Sequence, residues 1–207
     1  MSAKARAKKI KLLLLDVDGV MTDGRIWLLP APAGGNPELR AQAAEHADGG
    51  GYAISSDTMM EVKSFHAQDG TAMSLARLAG IKTGVITKRI SETVALRARD
   101  LRLDHVHQGV ADKVSALEKI LAQEGLKPAQ AAYMGDDIID LPVMRRCGLA
   151  IAVPNARKEV KDAAHYVTRH GGGKGAVRDA VEFILRAQGK MEKAVRAYLL
   201  RRRPLRK

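Results

Sequence analysis

Aromatic side chains are scarce in this 207-residue chain: two Phe, one Trp and four Tyr, 3% of the whole. So few rings leave little on which single-stranded bases could stack. Cysteine is scarcer still. Cys147 stands alone, which excludes an internal disulfide and fits a reducing cytoplasm. No apolar run reaches the about 18 residues that a membrane-spanning helix needs. The basic start, MSAKARAKKIK, leads into only four leucines and no small-residue cleavage site, so no secretory signal is expected. Acidic residues are the minority charge, 23 against 35 Lys and Arg, for a formal net charge of +12. Much of the excess sits at the ends, in KARAKKIK and RRRPLRK. That distribution describes a soluble protein with solvated basic termini. Attraction to an anionic small molecule is the next use of such charge, and a nucleic-acid-binding core the weakest.

What is present is a globular composition, 46% hydrophobic and 28% charged. The length suits one sizeable domain with a real core. After the leucines of 12–15, a regular alternation begins near residue 69. The spacing predicts helices over 70–80, 91–101 (N-capped by Ser91), 112–125, 137–148, 155–164 and most of 175–201, the last broken near Gly189. Between them lie predicted strands at 81–87, 104–109, 131–136, 149–153 and 165–168. Strands alternating with helices imply right-handed crossovers. The fold expected is α/β, a Rossmann-like parallel sheet with helices on both faces. Segment 25–64, rich in Pro, Gly and Ala, interrupts the first crossover. Its flanks, RIWLL and TMMEVKSF, predict a β-hairpin, and its middle a long mobile loop. One domain over 1–188, with a basic helix and tail over 189–207, completes the plan.

The stretch LLLLDVDGVMTDG, residues 12–24, ends a buried strand in Asp16 and Asp18. This is either an ordinary Asp/Gly turn or a gathering of carboxylates around a cation and a reaction. In an open parallel sheet, ligands bind outside the carboxyl ends of the strands. There the pattern also puts Asp136, followed by Asp137 and Asp140, together with Thr87 and Lys113. Carboxylates held so close repel one another, and Mg²⁺, a hard cation with oxygen ligands, relieves the repulsion. A carboxylate beside such an ion, with a lysine and a hydroxyl nearby, suits an aspartyl-phosphate intermediate. Each piece alone carries little information; their order along the chain carries much more.

LLLLDVDGVMTDG, VIT, DK and YMGDDIID resemble, in that order, the four motifs of the haloacid dehalogenase superfamily of phosphatases, over residues 11 to about 188. The forms DVDGVMTDG, F-x-x-x-DG, HQGVADK, GDDIIDLPVM and HYVTRHGGGKGAVRD are similar to the 3-deoxy-D-manno-octulosonate 8-phosphate (Kdo 8-phosphate) phosphatase family. Its members are small, capless, Mg²⁺-dependent cytoplasmic homotetramers serving lipopolysaccharide precursor synthesis. The resemblance implies that Asp16 is the nucleophile. It makes Asp18 the general acid and then base, with its backbone carbonyl on the metal. Asp16 and Asp136 complete the metal ligands, supported by Asp137 and Asp140. Thr87, Lys113 and Gly19 hold the phosphate, and the substrate is a phosphorylated sugar acid. Two positions depart from the family. Its Thr-Gly-Arg is Thr87-Lys88-Arg89 here, and its Phe-x-Val-Arg-Asp-Gly is Phe65-His66-Ala67-Gln68-Asp69-Gly70. The resemblance still puts Gln68, Asp69, Gly70, Lys88, Arg89 and Arg97 at the phosphate or substrate, but an amide at Gln68 lacks the charged fork of an arginine, which leaves Arg89 or Arg97 to bind a sugar-acid carboxylate.

Other readings stand beside this one. A phosphatase for a nonulosonate 9-phosphate or another small ester is motivated by Gln68 and Lys88. A noncatalytic oligomerisation module of the same fold is opposed by the intact set Asp16, Asp18, Thr87, Lys113 and Asp136. Nucleic-acid binding rests on net charge alone. The histidines, including the alternating His105 and His107, lack zinc spacing. Cys147, Met59, Met60 and Met134 read as packing. Gly171–Gly175 is either a flexible turn or a segment that closes over the site.

Overall fold

The computed structural model describes residues 1–30, 52–53 and 58–201. Its strands are β1 (Leu12–Leu15), β2 (Trp27–Pro30), β3 (Tyr52–Ala53), β4 (Met59–Val62), β5 (Lys82–Ile86), β6 (Arg89–Ile90), β7 (His105–His107), β8 (Ala131–Gly135), β9 (Leu149–Ala152) and β10 (Tyr166–Val167). Its helices are α1 (Ala3–Ala7), α2 (Ala67–Leu78), α3 (Glu92–Leu101), α4 (Lys113–Glu124), α5 (Leu141–Arg146), α6 (Lys158–Ala163), α7 (Ala176–Ala187) and α8 (Met191–Arg201).

Four consecutive leucines form a strand where both faces of a sheet are covered. All four of β1 are buried, and each contributes about 1.5–3 kcal/mol relative to exposure. The main sheet is parallel, in the order β10-β9-β8-β1-β5-β7. Helices α1, α2, α7 and α8 pack together on one face, and α4, α5 and α6 on the other. The chain runs outward from β1 through β5 to β7, then returns to β8 and runs outward the other way. The reversal lies between β1 and β8, and it opens a crevice at their carboxyl ends.

The predicted alternation is present, with shorter elements. The helix expected over 137–148 starts as a 3₁₀ turn at Ile138–Asp140 and becomes α5 only at Leu141. Pro142 in its first turn lacks an N–H, but that N–H has no helical partner anyway. Ser91 occupies the N-cap of α3 without a side-chain cap bond; its N–H donates instead to Gln108 Oε1 at 2.8 Å. Gly189, at φ +66°, separates α7 from α8. The basic extension is solvated only in part, because Ala194 is buried and Val195 and Tyr198 pack against the core. Cys147 is buried, and burial pushes its thiol up to about 12, as packing requires and a nucleophile does not.

The expected hairpin forms as β2 paired antiparallel with β4, Trp27 opposite Val62 and Pro30 opposite Met59. Met60 is exposed on it rather than filling the core. The expected loop between the arms and the last basic residues lie largely outside the described residues.

Candidate active site

The carboxyl ends of β1, β5 and β8 deliver Asp16, Thr87 and Asp136 to one place, and the start of α4 delivers Lys113. Asp112 caps α4 by accepting from the Val114 and Ser115 N–H groups, which fixes where Lys113 enters. The Asp16 N–H donates to the Met134 carbonyl at 2.9 Å, tying the end of β1 to β8.

Asp16 is only 5% exposed. Lys113 Nζ stands 3.0 Å from its Oδ1, 2.7 Å from Asp140 Oδ1 and 3.1 Å from the Tyr133 hydroxyl. Asp140 is fully buried, and its Oδ2 accepts from the Asp136 and Asp137 N–H groups at 3.0 and 3.3 Å. It therefore shapes the loop that carries Asp136. Asp137 is exposed and accepts from the Ile138 N–H.

One ammonium cannot balance this many carboxylates. Burial pushes Asp16 up to about 7, with repulsion from Asp140 adding and Lys113 opposing. Burial, then the charges of Asp16, Asp140 and Asp137, push Asp136 up to about 8. Lys113 is pulled down by burial, but Asp16 and Asp140 outweigh this and hold it above an ordinary lysine. Asp136 Oδ1 is buried without a hydrogen-bond partner. Oxygens of Asp16, Asp136 and Asp140 lie within 4.8 Å of one another, the one such cluster among the described residues. Surplus negative charge, an all-oxygen donor set and an orphaned buried oxygen fit a hard divalent cation. His105, by contrast, pairs with Glu124 at 2.9 Å.

Gly19 sits at φ +85°, where a Cβ would lie 2.1 Å from Asp136 Oδ2, so only glycine fits there. Its N–H donates to Thr22 Oγ1 at 3.4 Å. Its carbonyl accepts from Asn155 Nδ2 at 3.1 Å, while Asn155 Oδ1 accepts from the Gly172 N–H at 2.8 Å. Gly173 donates to the Val20 carbonyl. The 171–175 segment is thus packed against residues 19–23 rather than being a loose turn. A Cβ on Gly172 would lie 1.8 Å from the Gly19 oxygen.

On the hairpin side, Lys63 Nζ reaches Asp18 Oδ1 at 2.6 Å, and Arg89 Nε lies 3.6 Å from Asp18 Oδ2. Thr87 is buried, and its Oγ1 accepts from the Arg89 N–H at 3.4 Å. Lys88 is half-buried and Gln68 exposed. Asp69, Gly70 and Arg97 have their contacts within the scaffold. Asp69 caps α7 by accepting from the Arg178 N–H at 2.7 Å. Arg97 pairs with Asp100 at 2.5 Å, lies over the Phe65 ring and fills the space beside Gly70.

Residues 84–179 match the model of the haloacid dehalogenase-like hydrolases. The Kdo 8-phosphate phosphatase KdsC of Escherichia coli K12 is 36% identical over 190 residues, covering 92% of this chain and 87% of that one. The chain belongs to the Kdo 8-phosphate phosphatase family. The corresponding enzyme of Yersinia pestis is 38% identical over 189 residues. The fold follows: the Moraxella catarrhalis Kdo 8-phosphate phosphatase, solved with magnesium, phosphate and Kdo, superposes with a TM-score of 0.77 at 32% identity, over 95% of this chain and 97% of that one.

Several residues of this family member escaped sequence reasoning. Tyr133 is the lone aromatic in β8, and a tyrosine hydroxyl in a strand expected to be buried needs a polar partner, which is the readable clue. Glu61 and Lys63 are opposite charges two apart on a hairpin arm, a spacing that aims both to one side. Asn155, in VPNA, carried no local signal.

Proposed function

We propose that this protein is a Mg²⁺-dependent phosphomonoesterase acting on a phosphorylated sugar acid, Kdo 8-phosphate before others. The observation that carries it is Asp16 beside Lys113, with the unpartnered oxygen of Asp136 next to it. Asp16 and Asp136, with the Asp18 carbonyl, would hold the ion. Bound there, Mg²⁺ neutralises charge on the phosphoryl oxygens.

An Asp16 oxygen attacks phosphorus, and the bond from phosphorus to the sugar oxygen breaks. The leaving oxygen takes a proton from Asp18. Asp18 then takes a proton from water as that water attacks the aspartyl-phosphate, which frees phosphate and restores Asp16. Lys113 neutralises Asp16 and the oxygens being transferred. The Thr87 hydroxyl and the Gly19 amide orient the phosphoryl group. Gln68, Lys88, Asp69, Gly70, Arg89 and Arg97 shape recognition of the sugar, from contact with it or by holding the elements around it. Asp137 and Asp140 support the loop of Asp136.

Phosphate release with Mg²⁺ is expected to favour Kdo 8-phosphate over a nonulosonate 9-phosphate and simple sugar phosphates by at least about tenfold in kcat/KM. Preference for another ester would make Gln68 and Lys88 marks of shifted specificity. Release without Mg²⁺, or from no ester, would overturn the reading.

No helix among the described residues is long and apolar enough to cross a membrane. The proposal includes a cytoplasmic setting, which recovery outside the cytosol on cell fractionation would contradict. It also includes a homotetramer. Trp27, Leu29 and Met60 share one face of the hairpin and are each 41% exposed or more, apolar exposure of the kind that marks association surfaces. Sedimentation equilibrium is expected to give four 22.4 kDa chains per particle. A monomer at working concentration would count against it.

A further inference from the structure

Lys63 directly follows β4, and its side chain is 0% exposed. Burying an ammonium costs several kcal/mol unless it is paired. Lys63 has two partners: Asp18 Oδ1 at 2.6 Å and Glu61 Oε1 at 3.1 Å. Glu61 Oε2 in turn accepts from Arg89 Nη2 at 2.8 Å, and Arg89 Nε lies 3.6 Å from Asp18 Oδ2. The four side chains close a ring with two charges of each sign. The ring is anchored as well as balanced, since Thr93 at the start of α3 donates its hydroxyl to the Glu61 carbonyl at 3.1 Å.

The two oxygens of Asp18 are treated differently. Oδ1 is bonded to a lysine whose side chain is 0% exposed and whose ammonium is held between two carboxylates. Oδ2 faces Arg89 Nε beyond hydrogen-bond distance, and Arg89 Nε has no hydrogen-bond partner of its own. Glu61 also serves Arg89, so Lys63 draws on Asp18 for its closest countercharge, and that short bond connects the hairpin to the catalytic loop.

We propose that Lys63 is a positioning residue for the reaction: by holding Oδ1 of Asp18 it fixes the carboxylate and leaves Oδ2 to exchange the proton with the leaving oxygen. This rests on Asp18 being the proton donor. Its consequence is chemical. A sugar alkoxide leaves poorly and needs a well-aimed proton, whereas a nitrophenolate leaves without one. Lys63 matters for alkyl esters and far less for aryl esters.

The experiment compares kcat/KM, which reports the steps through departure of the leaving group, for Kdo 8-phosphate and p-nitrophenyl phosphate. Lys63→Met is expected to lower the sugar-phosphate value by roughly 100-fold and the aryl value by less than about tenfold. Lys63→Arg is expected to give a sugar-to-aryl ratio between those of the methionine variant and the parent. Equal losses on both esters, or no loss on either, overturn the proposal. Should the methionine variant not fold, Lys63→Arg decides alone: a ratio below the parent's supports the proposal, and an unchanged ratio overturns it. Asp18→Asn separates the proposal from its foundation. If that variant also fails to discriminate between the esters, the role of Asp18 falls. If it discriminates and Lys63→Met does not, only the role of Lys63 falls.

Discussion

Replacing Asp16 by asparagine is expected to abolish phosphate release, by more than about 10⁴-fold, and to leave the fold in place. The amide keeps the shape of the carboxyl group but has no charge with which to attack phosphorus. The fold survives because the charge of Asp16 is not what holds the strands. Its N–H remains on the Met134 carbonyl, and β1 remains enclosed between β5 and β8. Burial already pushes the Asp16 carboxyl up to about 7, so its ionised form is a strain on the folded state. Without it, Lys113 keeps Asp140 at 2.7 Å and Asp136 loses a repulsive neighbour. The thermal midpoint at pH 8 should therefore match the parent or exceed it. Both readouts are simple: phosphate released from Kdo 8-phosphate with Mg²⁺, and a melting curve. Turnover within about tenfold of the parent would remove Asp16 as the nucleophile. A lost melting transition would mean that the carboxylate is structural.

The sequence announces this site because its parts are local. Asp16 and Asp18 are two residues apart at the end of a leucine run, and Asp136 through Asp140 lie within one turn after a small-residue strand. Such groups share an edge as soon as the strands are parallel, and the alternation of strands and helices already implies that they are. What stayed hidden depends on chain segments far apart in sequence. Lys63 reaches Asp18 across 45 residues, and Asp69 caps α7 across 109. Asn155 bridges to Gly19 across 136. No periodicity encodes such pairings; they follow only after the sheet order has brought the segments together. Asp69 is instructive. Beside a glycine in a family motif it reads as a substrate contact, yet its oxygen completes the first turn of a helix distant in the chain. The insertion was legible at its arms, where alternation predicts β2 and β4, and not in its purpose, because the charge on Lys63 has meaning only opposite Asp18.

Lys113→Met is expected to lower phosphate release by roughly 10²–10³-fold and to cost about 3–5 kcal/mol of stability at neutral pH. Methionine fills the volume but leaves Asp16 and Asp140 facing each other without a counter-charge. The sign of the pH dependence follows from the shifts. In the folded protein Lys113 titrates above its ordinary 10.5, because Asp16 and Asp140 outweigh burial. Its stabilising contribution is therefore fully present below 10.5 and is lost only as pH rises through the higher folded value. Asp16 and Asp136 have the opposite effect. Their folded values, about 7 and about 8, exceed the 3.8 of the unfolded chain. Between these limits the folded state binds more protons, so metal-free stability falls as pH rises. Removing Lys113 raises the resistance of Asp16 to ionisation further. The deficit of Lys113→Met against the parent should then be small near pH 4 and widen toward pH 8. Denaturant unfolding of both proteins at the two pH values, without divalent ions, measures it. A deficit of the same size at both would mean that Lys113 acts through packing, and the account of surplus charge at the carboxylates would fail.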